Sequence, residues 1–341
     1  MIDPATRLYR ALIYLYPADF RREFGDQMAQ CFYDLSRTAL NHNRVALWAH
    51  LLTDLAFSLT REHFDHWIRR RTRMNTPLAD FAGYRVQAQI GDGSVSRVFR
   101  AFDPRLKAEV AIKQLKPAAE LGTETLAQWQ AWFEHGAAIL AGLDHPALPK
   151  LYASGRTAAG PYVVMEYIPG STLLERIEQS EGFLDEHDLI QWGIQACAAL
   201  TFLHTCRPQA FLFRDIKPSN LIVADTGTLR LLDFDITAAY IDGQNYECIG
   251  TPGYAAPEQY AGHAEPRSDL YALGATLHHL ATRIDPREET KTHPFSFAPA
   301  RSVNPALSKS FAAVIERAIA YEVEDRWPSA AEMQAALEAC L

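Results

Sequence analysis

Residues 213–220 read Phe213-Arg214-Asp215-Ile216-Lys217-Pro218-Ser219-Asn220, and Leu231-Leu232-Asp233-Phe234-Asp235 follows a short way downstream. Asp215 and Lys217 stand two residues apart, the amide of Asn220 comes next, and Asp233 lies eighteen residues beyond Asp215. Each residue type has a use in one chemistry. A carboxylate orients an attacking hydroxyl, a lysine steadies a phosphoryl group in flight, and an amide with a second carboxylate holds Mg²⁺. Together they meet the needs of phosphoryl transfer from Mg-ATP.

Working outward, the upstream half carries Gly91-Asp92-Gly93-Ser94-Val95-Ser96-Arg97-Val98 and then Val110-Ala111-Ile112-Lys113. Two glycines let backbone N–H groups approach phosphates closely. Pro161-Tyr162-Val163-Val164-Met165-Glu166-Tyr167-Ile168-Pro169-Gly170 is an apolar strand that breaks into a turn, and the amphipathic run Leu189–His204 leads into the 213–220 stretch. Downstream stand Gly250-Thr251-Pro252-Gly253-Tyr254-Ala255-Ala256-Pro257-Glu258, then Asp269-Leu270-Tyr271-Ala272-Leu273-Gly274, and finally Asp325-Arg326-Trp327.

In this order and at these spacings the stretches resemble the eukaryotic-type protein kinases. Residues 265–279 look most like bacterial Hanks-type Ser/Thr kinases. The resemblance runs from about Tyr84 to the C-terminus. It implies an α+β, two-lobed protein-kinase-like fold: a small antiparallel sheet lobe at about 84–165, a hinge at 166–170 and a larger helical lobe over 171–341. Asp215 is the implied hydroxyl-orienting base, Lys217 the phosphate contact and Lys113 the partner of the α- and β-phosphates. Asn220 and Asp233 are the implied Mg²⁺ ligands. Gly91 and Gly93 would cover the phosphates, and Val98, Ala111 and Ile222 would sandwich the adenine. Met165 would be the gatekeeper, with the backbone of Glu166 and Ile168 at the adenine edge. ATP and Mg²⁺ are the implied cofactors and a protein hydroxyl the implied substrate. The resemblance also pairs Glu258 with Arg326, anchors the catalytic loop through Asp269, and gives Arg214 a phosphorylated activation segment to dock. Phe213, standing where a His is usual, is expected to pack on Phe234, Leu140 and Leu151.

Three departures bear on turnover. Leu140 and Leu143-Asp144-His145-Pro146 fix the register of the helix that should bring a Glu to Lys113, and that register puts Gly136 at the Glu position. Glu134 lies two residues earlier, about 200° round the helix, and is expected to face away. Asp235 replaces the glycine of Asp-Phe-Gly and is expected to face solvent or cap a turn. Residues 236–250 offer Thr237, Tyr240 and Tyr246 as phosphate acceptors, without the Ser/Thr cluster of bacterial relatives. The reading is a Ser/Thr protein kinase. The alternative is a pseudokinase or nucleotide-binding scaffold with little turnover.

Ahead of this region, residues 1–75 form an expected helical prefix and basic linker, with the second domain at 76–341. Helical stripes run through Leu8, Ala11, Leu12 and Leu15, through Phe24, Met28, Cys31, Phe32 and Leu35, and through Leu47, Leu51, Leu52, Leu55, Ala56 and Leu59. Either they bury one another, or they dock a partner protein or a membrane surface. Arg69, Arg70, Arg71 and Arg73 then mark the linker.

The 341 residues, 48% hydrophobic and 22% charged, suit ordinary globular domains. A net charge of −8 argues against nucleic acid as a partner. Five scattered cysteines predict free thiols, and no apolar run is long enough to span a bilayer. The expected location is cytoplasmic, with a peripheral seat on the inner face of the membrane open to the prefix.

Overall fold

The computed structural model describes residues 81–121, 123–289 and 295–341. The expected helical stripes of residues 1–75, the arginine cluster and the boundary near Pro77 lie outside the described residues.

The chain first builds a five-stranded antiparallel sheet in the order β1-β2-β3-β5-β4, from β1 (Arg85–Asp92), β2 (Ser96–Asp103), β3 (Ala108–Leu115), β4 (Leu151–Thr157) and β5 (Gly160–Glu166). Between β3 and β4 runs helix α1 (Thr123–Ala141). Four residues of β3, Val110 to Lys113, are buried in succession, because both faces of the central strand are covered. Val110 and Ile112 pack with Tyr84, Ala101 and Val164 on one face. Leu115, with Val163 of β5, packs on Phe133 of α1 on the other. Successive side chains alternate in direction along a strand, so Lys113 points to the α1 side.

After β5 the chain crosses to the larger lobe. The strand β6 (Gly170–Thr172) pairs with β8 (Leu221–Ala224), which pairs in turn with β9 (Leu229–Leu231); β7 (Phe211–Leu212) pairs with β10 (Ala238–Ala239). The longer helices are α2 (Leu173–Gln179), α3 (Glu186–Thr205), α4 (Pro266–Thr282), α5 (Lys309–Ala318) and α6 (Ala330–Glu338). Their starts are written in the sequence. Thr172 and Glu175 form a capping box, and Asp185, Ser308 and Ser329 each accept backbone N–H groups at an N-terminus.

Helix α4 is buried at every residue from Ser268 to Thr282, which makes it the axis of this lobe. Leu270, Leu273 and Leu277 on α4 share one core with Leu200 of α3, Phe311 of α5 and Met333 of α6. Among the described residues no helix is long and apolar enough to cross a membrane.

Candidate active site

The 213–220 loop hangs from α4. Asp269 accepts the backbone N–H groups of Phe213 (2.9 Å) and Arg214 (2.7 Å), and His204 at the end of α3 donates to the same carboxylate (2.8 Å). This is the anchoring expected of Asp269. Arg214 takes a left-handed backbone, φ +65°, and its buried Nε donates to Ile236 O at 2.6 Å. Leu232 N donates to Asn220 O (2.8 Å), so the loop and the 233–236 segment are joined at both ends.

Inside the loop the polar groups satisfy one another. Lys217 Nζ donates to Asp215 Oδ2 and to Thr251 Oγ1, both at 2.8 Å; Thr251 Oγ1 donates to Asp215 Oδ1 at 2.6 Å. Asn220 Nδ2 donates to Asp215 Oδ2 at 2.8 Å. The triangle of Asp215, Lys217 and Thr251 ties the segment after Gly250 to the catalytic loop. Sequence reasoning quoted Thr251 within its motif but gave it no role. A hydroxyl reaching an acid thirty-six residues away becomes visible only in the fold.

Lys113 is 6% exposed. Its Nζ lies 2.6 Å from Asp233 Oδ1 and 2.7 Å from Asp235 Oδ2. Burial opposes its charge, but the two carboxylates outweigh burial and raise its pKa. Burial likewise works against the Asp233 carboxylate, yet the Lys113 ammonium, Lys217 and the Asp235 amide hold it below the usual range. Asp235 goes the other way. Burial and then the Asp233 charge push it up to about 6.

This overturns the expectation that Asp235 faces solvent or caps a turn. Its carboxylate turns inward because Asp233 adopts φ +67° and because Gly136 leaves a smooth patch on α1 beneath the Phe234–Asp235 backbone. Glu134 does face away, 2.6 Å from Arg156 at the surface. Phe213 meets Phe234 edge-on at 5.2 Å, and both share the large core with Leu140, with Leu151 packed against it, as expected.

Strand register places the other expected residues. Gly91 pairs with Val98, Val98 with Lys113, and Ala111 with Met165. Paired residues share a sheet face, as do residues two apart, so all five lie on the face that carries Lys113. Gly93 sits in the turn, its N–H donating to Ser96 O (2.9 Å). Ile222 of β8 packs with Ile168 just beyond β5. The Glu166 side chain turns to Arg230 (2.7 Å).

The donor set suits a hard divalent cation. Both hydrogen bonds of Asp233 fall on Oδ1, which leaves Oδ2 for a ligand, and Asn220 commits its NH₂ to Asp215. Among the described residues no three His, Cys, Asp or Glu side chains converge as a metal cage. One carboxylate and one amide oxygen, completed by phosphates and water, is how Mg²⁺ is commonly held.

Two further expectations concern the lower part of the site. Arg326, 1% exposed, grips Glu258 at 2.7 and 2.9 Å, the pairing read from sequence. The activation segment buries two of its three candidate acceptors. Thr237 is 1% exposed, and the Tyr246 hydroxyl accepts from Ile241 N (2.8 Å) and donates to Ala239 O (3.1 Å). Arg214 has Glu247 3.7 Å away, where a phosphate was expected.

A profile of the protein kinase domain matches residues 84–337. The chain is 34% identical over 283 residues to the serine/threonine-protein kinase PknB of Mycobacterium tuberculosis, covering 77% of this chain and 44% of that protein. It is 32% identical over 275 residues to a probable serine/threonine-protein kinase of Streptomyces coelicolor, covering 76% and 40%. The chain thus spans less than half the length of these relatives. The M. tuberculosis PknI kinase domain superposes with a TM-score of 0.62 at 24% identity, over 78% of this chain and 98% of that one. With the sheet lobe, the helical lobe and the Lys113, Asp215, Asn220 and Asp233 cleft already in place, the match over 84–337 makes this chain a member of the protein kinase domain family.

Proposed function

We propose that the chain is a Ser/Thr protein kinase that moves the γ-phosphate of Mg-ATP to a protein hydroxyl. The observation that carries this reading is the bonded set Asp215–Lys217–Asn220–Thr251, joined through Leu232 N to the segment that holds Asp233 against Lys113. Members of the family use ATP with a divalent metal, and the metal, when bound, neutralises charge on the transferring phosphate.

The chain's own residues then have separate tasks. Gly91 and Gly93 lay backbone N–H groups over the phosphates, and Lys113 meets the α- and β-phosphates. Val98 and Ala111 form the roof over the adenine and Ile222 its floor, with Met165 at the back. The backbone of Glu166 and Ile168 faces the adenine edge. Asp233 and Asn220 supply oxygen ligands to Mg²⁺. Asp215 accepts the hydrogen bond of the acceptor hydroxyl and holds it in line, and Lys217 stabilises charge at the phosphoryl group.

Lys217, two residues after Asp215, and the Gly250–Glu258 segment favour serine or threonine in a protein over a small-molecule acceptor. Residues 1–75 are the segment proposed to meet a partner protein or the inner membrane surface, and residues 76–341 the kinase domain.

The test is transfer of labelled γ-phosphate by the full chain to itself or to a generic basic protein. Asp215→Asn should abolish transfer while ADP affinity stays within about threefold of the parent, since the charge it removes orients the acceptor and not the nucleotide. Equal transfer by the parent and Asp215→Asn would refute the assignment.

A further inference from the structure

In the kinase domain family the β3 lysine is held by a Glu on the helix that follows. Here that helix is α1, and the position carries Gly136, which has no side chain to offer. Yet Lys113 is not left with one acid. Asp235 Oδ2 stands 2.7 Å from its Nζ, opposite the 2.6 Å contact to Asp233, with the Asp235 side chain 15% exposed.

The two departures from the pattern touch each other. A Cβ built at Gly136 would lie 2.2 Å from Phe234 O, 2.7 Å from Phe234 C and 3.1 Å from Asp235 Cα. Those atoms are backbone and cannot swing aside as a side-chain tip would. So the Phe234–Asp235 peptide rests on the bare surface of α1, in the place a side chain at 136 would occupy. From that seat the Asp235 side chain reaches Lys113.

A carboxylate is missing at one position and present at the other, and the first position must be glycine for the second to sit where it does. We propose that Asp235 is the positioning residue of Lys113, in place of an acid on α1, and that Gly136 is its steric complement, so that the two form one relocated ion-pair device.

The proposal rests on the kinase reading for its consequence, not for its geometry. An acid on α1 ties lysine alignment to the position of that helix. An acid at 235 ties it to the segment that carries the proposed metal ligand Asp233. Alignment of Lys113 then needs no movement of α1 and becomes part of forming the 233–235 turn. Asp235 itself touches neither nucleotide nor acceptor in this scheme. It acts through Lys113.

The test uses the full chain and four variants: Asp235→Gly, Asp235→Asn, Gly136→Glu and the double exchange Gly136→Glu/Asp235→Gly. ADP affinity, measured calorimetrically with Mg²⁺, and steady-state KM for ATP and kcat are compared. Outer partners that orient a metal ligand cost about ten- to a hundredfold when removed, and a lysine held by its acid is expected to behave alike. Asp235→Gly and Asp235→Asn should therefore weaken ADP binding and raise KM for ATP by about tenfold or more. A fold defect alone would lower the active fraction and leave KM unchanged.

Gly136→Glu alone should be as damaging, because its Cβ displaces the Phe234 peptide. The double exchange, which returns the acid to α1 and the glycine to the turn, should recover most of both losses. Unchanged ADP affinity and KM in Asp235→Asn, or a double variant no better than the worse single one, would overturn the proposal.

A thermal double-mutant cycle decides the matter without turnover. The melting-temperature change caused by Asp235→Asn should vanish or reverse in a Lys113→Met background if the two side chains are coupled. Equal changes in both backgrounds would overturn the proposal. If the parent transfers no phosphate to any acceptor, the kinase reading fails while this cycle still reports on the pair.

Discussion

Two of the buried cations, Arg326 and Lys113, are built differently. Arg326 sits at the base of the large lobe with its donors spread over Glu258 Oε1 and Oε2 and the carbonyls of Arg267, Ala320 and Tyr321, and its guanidinium lies over the Tyr271 ring at 4.8 Å. Lys113 sits in the cleft between two aspartates, one of which keeps an oxygen open to a ligand. The first is closed and saturated, as a structural pair must be when buried. The second is crowded with charge of both signs: burial and then the Asp233 charge hold Asp235 above the usual carboxylate range, while Lys113, against burial, holds Asp233 below it. A fold with no task at this place would gain little from keeping three ionised groups beside a cleft. The contrast separates what the residues do for stability from what they do for chemistry.

The comparison breaks most visibly at Arg326. Arg326→Met leaves the largely buried Glu258 carboxylate with the Ser268 hydroxyl but without its counter-charge, and losing one member of a buried pair costs about 3–5 kcal/mol. For a domain of this size that is roughly a ten-degree fall in melting temperature. Phosphotransfer by the protein that remains folded should stay close to the parent's. A large loss of kcat with no change in melting temperature would show that the two cations do not divide the work in this way.

Lys113→Met should do the reverse. If Lys113 meets phosphate as proposed, removing that preorganised charge should cost on the order of 100-fold or more in rate. The stability change should be smaller than at Arg326, because Asp233 opens onto the cleft and can be solvated there, and Asp235, already pushed up to about 6 by burial and the Asp233 charge, can take up a proton once Lys113 is gone. Scanning calorimetry beside initial rates measures both halves at once. Stability losses of equal size at the two cations would remove the distinction.

The smallest expected effect sharpens the structural side. His279 Nδ1 on α4 lies 2.7 Å from the Tyr254 hydroxyl, and burial, acting against the Asp285 charge, lowers its pKa to about 4. In the unfolded chain a His titrates near 6.5. The folded value is the lower one, so the stabilisation it provides is whole above about pH 6.5 and is lost as pH falls towards 4. Between pH 7 and pH 5 the parent should lose more melting temperature than His279→Gln. Parallel curves for the two proteins would exclude His279 as a contributor.

Much of the cleft could be read from the chain because its residues come in local blocks. Asp215, Lys217 and Asn220 sit on one loop, and Val110 to Lys113 on one strand, so spacing alone conveys their order. Glu258 and Arg326 were also legible, through two separate motifs. What escaped was the relation between Gly136 and Asp235. Taken singly, one is a helix-weakening glycine and the other a stray acid in a turn. They lie ninety-nine residues apart, and only the fold sets the Phe234 carbonyl on the face of α1 where Gly136 has nothing to obstruct it. The signal available beforehand was complementarity: an acid lost at one position and an acid gained at the other. Thr251 escaped for a similar reason, since its hydroxyl matters through Asp215 and Lys217 and not through its neighbours.

Lys113 rides on the sheet of the small lobe, while both of its aspartates ride on a turn of the large one. Hinging the lobes apart would part the ammonium from both carboxylates at once, whereas an acid on α1 would lie within the small lobe beside it. The width of the cleft and the aim of the lysine are therefore a single mechanical coordinate, and any molecule that wedges the jaws open also disarms the tooth.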